Sequence, residues 1–191
     1  MTEYRGPGEE VATNPWRLLA SEVVHRNPWF RVRHDRVRRP DGNAGDWYVV
    51  ETSDNAAVVA LDDQGRVCLV GEWIYPLGAY GWAVPSGALH PDEEPLVAAQ
   101  RELREETGLT ATRWEALGCF HLSQGLTPQA SYLFLATGLH HGPARPEPTE
   151  RLQVAWMPLD EAWTRACAGA LSDSVTLVGL AWARSRLGRA S

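Results

Sequence analysis

Residues 87–109, Gly-Ala-Leu-His-Pro-Asp-Glu-Glu-Pro-Leu-Val-Ala-Ala-Gln-Arg-Glu-Leu-Arg-Glu-Glu-Thr-Gly-Leu, restrict this chain more than any other stretch. They read as a glycine loop that turns into an acidic helix. Pro95 suits a first helical position, with Asp92, Glu93 and Glu94 near the positive N-terminal end and Gly108 as the C-terminal stop. Leu96, Ala99 and Leu103 then share one face and Glu102, Glu105 and Glu106 another, because residues three and four apart are neighbours on a helix. Carboxylates crowded in this way repel one another unless something cationic neutralises them. Hard divalent cations with oxygen ligands, Mg²⁺ or Mn²⁺, answer that need. A solvated acidic face would be the plainer account of Glu-Glu pairs alone; the full spacing tells against it.

Gly87, Glu93, Arg101, Glu102, Leu103, Glu105, Glu106, Gly108 and Leu109 fill every specified position of the pattern G-x5-E-x7-R-E-U-x-E-E-x-G-U. At ordinary residue usages a chance match somewhere in such a chain is on the order of one in ten million. The chain is thereby identified as resembling the Nudix hydrolase superfamily. The resemblance implies an α/β fold, a Nudix-type α/β/α sandwich with a mixed sheet, in which the signature forms a loop–helix–loop. It also implies that the helix glutamates hold metal on a sugar-diphosphate or nucleotide substrate.

The remaining composition agrees with a small acidic enzyme. A length of 191 residues suits one domain of ordinary size, and 44% apolar with 22% charged residues is globular rather than disordered. The net charge of −6, with no basic block to offset it, argues against a nucleic-acid partner, and an acidic protein with a polyanionic substrate must bring metal to its site. Cys68, Cys119 and Cys167 are scattered and form no C-x-x-C pair, so they are expected to be core thiols of a reducing cytoplasm. No signal peptide and no membrane-length apolar run is visible, which reads as a soluble, cytoplasmic chain without a membrane partner.

Along the chain, strands are expected over 21–26, 29–38 and 46–51, with Pro40-Asp41-Gly42-Asn43 as a turn. Arg31, Arg33, Arg36, Arg38 and Arg39 form an Arg-rich segment that is either solvated or a phosphate contact. Core strands follow at 55–61, 66–73, 80–84, 113–122, 130–137 and 152–157, with an exposed loop between His140 and Arg151. Helices are expected at 160–170 and 173–187, with Ser172 as N-cap and Gly188 as stop. The expected division is an N-terminal arm and small antiparallel β subdomain over 1–53, and the catalytic domain over 54–191.

Outside the signature the chain is similar to the ADP-ribose and nucleoside diphosphate sugar pyrophosphatases from about Trp16 onward. Leu-Val-Gly-Glu-Trp-Ile-Tyr-Pro at 69–76, Trp-Ala-Val-Pro-Ser-Gly at 82–87, Ser-Gln-Gly-Leu-Thr at 123–127, Glu-Arg-Leu-Gln-Val at 150–154 and Leu-Ser-Asp-Ser at 171–174 carry that likeness. Ile74, Ala83 and Gln129 depart from it, since that group commonly has Arg, Glu and Glu there. These losses of polar groups leave open a different nucleotide sugar or a broad specificity.

By this resemblance Glu102, Glu106 and the Ser86 carbonyl hold the metal. Glu105 either binds metal too or is held by Arg101, and Glu93 supports the loop. Glu150, with Glu147 as alternative, is the base that deprotonates water. Trp29, Trp47 and Trp73 are candidates for base stacking, although packing is the commoner role of such rings. The implied reaction is hydrolysis of a nucleoside diphosphate linkage to two phosphate monoesters, in a homodimer built through the N-terminal strands. The competing readings are a Nudix hydrolase of nucleoside triphosphates, dinucleoside polyphosphates or capped RNA, and a non-catalytic Nudix ligand sensor.

Overall fold

The computed structural model of the chain describes residues 14–144 and 151–188, and the chain divides between Thr52 and Ser53 into two compact units. The first unit is an antiparallel sheet of β1 (Arg17–Arg26), β2 (Phe30–Arg38) and β3 (Ala44–Thr52), in that order. Asn27 shapes its first turn by accepting the backbone N–H of Trp29 and Phe30 at 2.9 Å each. In the second, Asp41 accepts from the Asn43 N–H and Gly42 takes φ +82, which glycine adopts at little steric cost. Among the described residues of this unit only Asp35 and Val37 are buried, while Leu18, Val23, Val24, Trp29 and Tyr48 are exposed. The Arg-rich segment is not one face. Arg31 and Arg33 lie on one side of β2 and both pair with Glu51, whereas Arg36 and Arg38 alternate to the other side. Period-two alternation divides what the sequence lists together.

The second unit contains β4 (Asn55–Ala60), β5 (Arg66–Ile74), a single 3-10 turn (Tyr75–Leu77), β6 (Ala79–Ala83), β7 (Ser86–Ala88), α1 (Pro95–Thr107), β8 (Leu109–His121), β9 (Ala130–His141), β10 (Gln153–Pro158), α2 (Leu159–Cys167) and α3 (Ser174–Leu187). One sheet has the order β7-β4-β9-β8; β4 and β9 are parallel and the other pairs antiparallel, so it is mixed. The other sheet, β10-β5-β6, is antiparallel throughout.

Strand β4 explains the layering. Ala56 to Ala60 are all fully buried, as expected for a strand covered on both faces. Ala57 and Val59 pack with Leu133, Leu135 and residues of α2 and α3, including Ala162, Val175 and Leu180. Ala56, Val58 and Ala60 pack on the other side with Ala98, Ala99 and Leu103 of α1. Leu103 is fully buried, a contribution of about 2–3 kcal/mol by area. Helices on both faces of a mixed sheet make the α/β/α sandwich that the signature implies.

Four local expectations are corrected. Leu96 is exposed and Ala98 takes its place in the core, because α1 turns its 98/99/103/106 face inward. The opening of the glycine loop is a short strand, β7, paired with β4. Asp173 rather than Ser172 caps α3, since its carboxylate accepts both the N–H and the hydroxyl of Thr176 at 2.7 Å. Only Cys68 is a core thiol; Cys119 and Cys167 are exposed.

Candidate active site

Two backbone constraints set the signature helix. At its start Pro95 occupies the first turn after Glu94, and at its end Gly108 takes φ 72 and donates its N–H to the Arg104 carbonyl at 2.9 Å. At the other side of the site the Pro85 carbonyl accepts from the Val58 N–H at 2.9 Å, and Ser86 and Gly87 pair with Ala57 and Ala56. The strand end and the helix are thus both anchored to the buried sheet.

Arg101 is the electrostatic centre between them. Its Nε and Nη2 donate to the two carboxylate oxygens of Glu93 at 2.9 Å each, a bidentate pair. Its Nη2 also donates to the Ala88 carbonyl at 3.0 Å. Held in this way, Nη1 faces Glu102 at 2.5 Å and Glu105 at 3.2 Å. The Arg101 hydrogen bonds hold the Glu93 carboxyl down at about 2, with a further backbone bond from His90. The Arg101 guanidinium is correspondingly held charged, by Glu93 first and then by Glu102 and Glu105.

Glu102 and Glu106 converge on the Ser86–Gly87 backbone from one helical turn. A Cβ at Gly87 would overlap the Glu102 carboxylate, so only glycine leaves room for it there. Glu106 is buried and accepts the Ser86 N–H at 3.1 Å. The Cys68 thiol of β5 is pushed up to about 12 by burial and then by the Glu106 charge. Of the three neighbouring glutamates Glu106 goes deepest, being buried next to Leu103, while Glu102 and Glu105 lie nearer the rim.

Among the described residues no three His, Cys, Asp or Glu side chains are gathered in a metal-binding geometry. Arg101 and the Ser86 N–H engage the carboxylates of Glu102, Glu105 and Glu106. The donor set nevertheless fits a hard divalent cation: carboxylate oxygens one turn apart, a carbonyl at Ser86, and a glycine that lets them approach. Glu105 is one-third exposed at the rim, next to a cavity of about 480 Å³ lined also by Arg104, Thr110 and Pro143.

The structure brings together Ser86, Arg101, Glu102, Glu105 and Glu106, with Glu93 behind them. Glu150 and Glu147 lie outside the described residues. Before them in the chain, the Gly142 N–H donates to the Gly108 carbonyl at 2.7 Å. After them, Gln153 of β10 pairs with Gly71 of β5. Trp29 and Trp47 belong to the N-terminal unit, where Trp47 packs edge-on against Trp16 at 5.4 Å. Trp73 is 62% exposed and lies on the face of β5 that bears Leu69, opposite the face of Cys68.

Sequence reasoning missed the Cys68 side of β5. Cys68 packs with α1, so Val70, Glu72 and Ile74 share its face by alternation. Their partners on β6 are Ala83, Gly81 and Ala79. Two departures from the relatives, Ile74 and Ala83, therefore lie on one face. The third, Gln129, donates its amide to the Ser53 carbonyl at 2.7 Å. The signal in the sequence was the period-two run Cys68-Val70-Glu72-Ile74, readable only once β5 is known to have α1 on one side.

Residues 51–175 match the NUDIX domain, and residues 16–50 match the nucleoside diphosphate sugar hydrolase N-terminal domain. With a complete signature helix on the mixed sheet, the chain belongs to the Nudix family. Among its relatives it is 33% identical to an ADP-ribose pyrophosphatase of Mycobacterium tuberculosis, over 89% of this chain and 84% of that protein. It is 30% identical to a CMP-5'-(N-acetyl-N-hydroxy-3-aminopropyl)phosphonate hydrolase of Streptomyces rubellomurinus, over 86% of this chain and 80% of that protein. A solved structure of an ADP compounds hydrolase shares the fold with a TM-score of 0.83 at 18% identity, covering 95% of this chain and 99% of that one.

Proposed function

We propose that this Nudix pyrophosphohydrolase cleaves the diphosphate of a nucleoside diphosphate joined to another moiety, ADP-ribose or a related nucleotide sugar, to give two phosphate monoesters. The observation that carries the reading is the convergence of Glu102 and Glu106 on the Ser86–Gly87 backbone, with Arg101 fixed beside them by Glu93. The match of residues 16–50 to a nucleoside diphosphate sugar hydrolase N-terminal domain favours nucleotide sugars over triphosphates.

The barrier to this reaction is charge, since water must approach phosphorus past anionic oxygens. Mg²⁺ or Mn²⁺, when bound, neutralises those oxygens and acidifies water. In this reading Glu102, Glu106 and the Ser86 carbonyl hold the cation, Glu105 joins them or stays with Arg101, and Glu150 takes the proton from water. In this reading the candidates for stacking a nucleobase are the exposed rings of Trp29 and Trp47 in the N-terminal unit and, separately, that of Trp73 in the second. The N-terminal sheet, with exposed apolar residues and only two buried, gains from a second copy, so we infer a homodimer through these strands. Three free thiols fit a reducing cytoplasm, and among the described residues no helix is long and apolar enough to cross a membrane.

The test is phosphate-monoester release from a panel of nucleotide sugars, dinucleoside polyphosphates and triphosphates, with Mg²⁺, Mn²⁺ or chelator. A nucleotide sugar should be the best substrate, and Glu106→Gln and Glu150→Gln should each lower kcat by roughly a hundredfold or more with the fold intact. Preference for triphosphates would overturn the substrate reading; binding without release would favour a sensor. A Glu150→Gln variant with near-normal kcat would remove Glu150 as the base.

A further inference from the structure

The chain contains no lysine, so all 18 of its permanently charged basic side chains are arginines. A substrate phosphate that needs a cationic side chain has only these to meet. In the second unit Arg66, Arg165, Arg184 and Arg186 pair with Asp62, Glu161, Asp160 and Glu115, and Arg113 donates to the Thr137 hydroxyl. Arg101 is committed to Glu93, Glu102 and Glu105. Arg104 is exposed and, among the described residues, has neither an ion pair nor a side-chain hydrogen bond. It stands one residue before Glu105 and lines with it the cavity of about 480 Å³ at the rim of the signature helix.

Gly108, Thr110, Gly142 and Pro143 complete the lining of that cavity. The Gly142 N–H donates to the Gly108 carbonyl at 2.7 Å, and a Cβ at Gly108 would lie 2.3 Å from the Gly142 carbonyl oxygen, so these two walls are locked together. Glu105 is the one acid of the lining, and Arg101 meets its charge at 3.2 Å. None of these lining residues is aromatic, and a nucleobase with no ring to stack on forgoes a large part of its usual binding. A guanidinium fork beside a hydroxyl suits the oxygens of a sugar phosphate instead.

We propose that this cavity is the subsite for the non-nucleoside half of the substrate, and that Arg104 binds the phosphate of that half. The inference rests on the hydrolase reading above. Cleavage of a nucleotide sugar leaves a nucleoside monophosphate and a sugar phosphate, and the second of these is the product that fits here. Arg104 then acts on one half of the substrate and leaves the other to contacts elsewhere.

The experiment titrates ribose 5-phosphate and AMP, each alone and in Mg²⁺, into wild type, Arg104→Gln and Arg104→Lys, with binding followed by NMR. The Kd of ribose 5-phosphate should rise roughly fivefold or more in Arg104→Gln and less in Arg104→Lys, while that of AMP changes by less than about twofold. Higher ionic strength should weaken ribose 5-phosphate binding more in wild type than in Arg104→Gln. With ADP-ribose as substrate, Arg104→Gln should raise KM by a larger factor than it lowers kcat. An unchanged Kd for ribose 5-phosphate overturns the proposal, as does a wild type that does not bind it. Equal weakening of both ligands, or weakening of AMP alone, overturns it too. A wild type that hydrolyses no nucleotide sugar would overturn the hydrolase reading, and the titrations would still decide the role of Arg104.

Discussion

Removing the Glu93 carboxylate tests whether the signature helix is held by its arginine. In Glu93→Gln, Arg101 loses a bidentate anion at 2.9 Å from Nε and from Nη2 and keeps Glu102, Glu105 and the Ala88 carbonyl. The pair is well shielded, with side-chain exposures of 15% and 11%. Depression of the Glu93 carboxyl from 4.5 to about 2 corresponds to about 3 kcal/mol. Two charge-assisted hydrogen bonds give the same order of magnitude. A lowered carboxyl contributes stability that is complete above its unfolded value and is lost as pH falls through its folded value. The window is therefore from about 4.5 down to about 2. Urea unfolding in chelator should find the variant about 2–3 kcal/mol less stable at pH 7, with the gap closing as pH approaches 2. A gap below about 0.5 kcal/mol at pH 7, or one that stays constant down to pH 2, would refute the clamp.

Two further outcomes are expected. Gly87→Ala places a methyl group where the Glu102 carboxylate lies; Mn²⁺ affinity should fall by roughly tenfold or more, with global stability changed by less than about 2 kcal/mol, checked by titration and urea unfolding. His34 lies between Asp46 at 2.8 Å and Glu22 at 3.4 Å and stacks on Tyr48; Asp46 first, then Glu22, raises its pKa above 6.5. Its contribution is complete below 6.5 and fades as pH rises through the folded value, so NMR titration should show a raised His34 that returns toward 6.5 in Asp46→Asn.

Much of this molecule is legible in the sequence because its helix stops, turn residues and strand alternation agree with the fold. Gly108, Pro95, Gly42 and the β4 run each specify local geometry without distant help. Helical arithmetic gathers Glu102, Glu105 and Glu106 along one edge of α1 and says nothing of how deep Glu106 goes. A buried carboxylate looks wrong until a distant N–H, that of Ser86, is known to meet it. Ser172 and Asp173 are both competent caps, and only the double acceptance from Thr176 decides between them. The Arg-rich segment reads as one patch because composition ignores the alternation that gives Glu51 to Arg31 and Arg33 alone.

The parallel pairing of β4 with β9 has a consequence for how the chain is made. Asp54, just before β4, accepts from the Ala130 N–H at 2.8 Å across 76 residues, and the whole signature helix lies inside that closed loop. At ribosomal speeds of about 5–20 residues per second, β4 emerges roughly 4–15 s before the strand that completes its sheet. During that interval the apolar run Ala56–Ala60, buried on both faces at the end, has no β9 to cover it. The segment that anchors the signature helix is thus an opportunity for aggregation or chaperone capture on the nascent chain, and β4 gains its parallel partner only after residue 136 has left the ribosome.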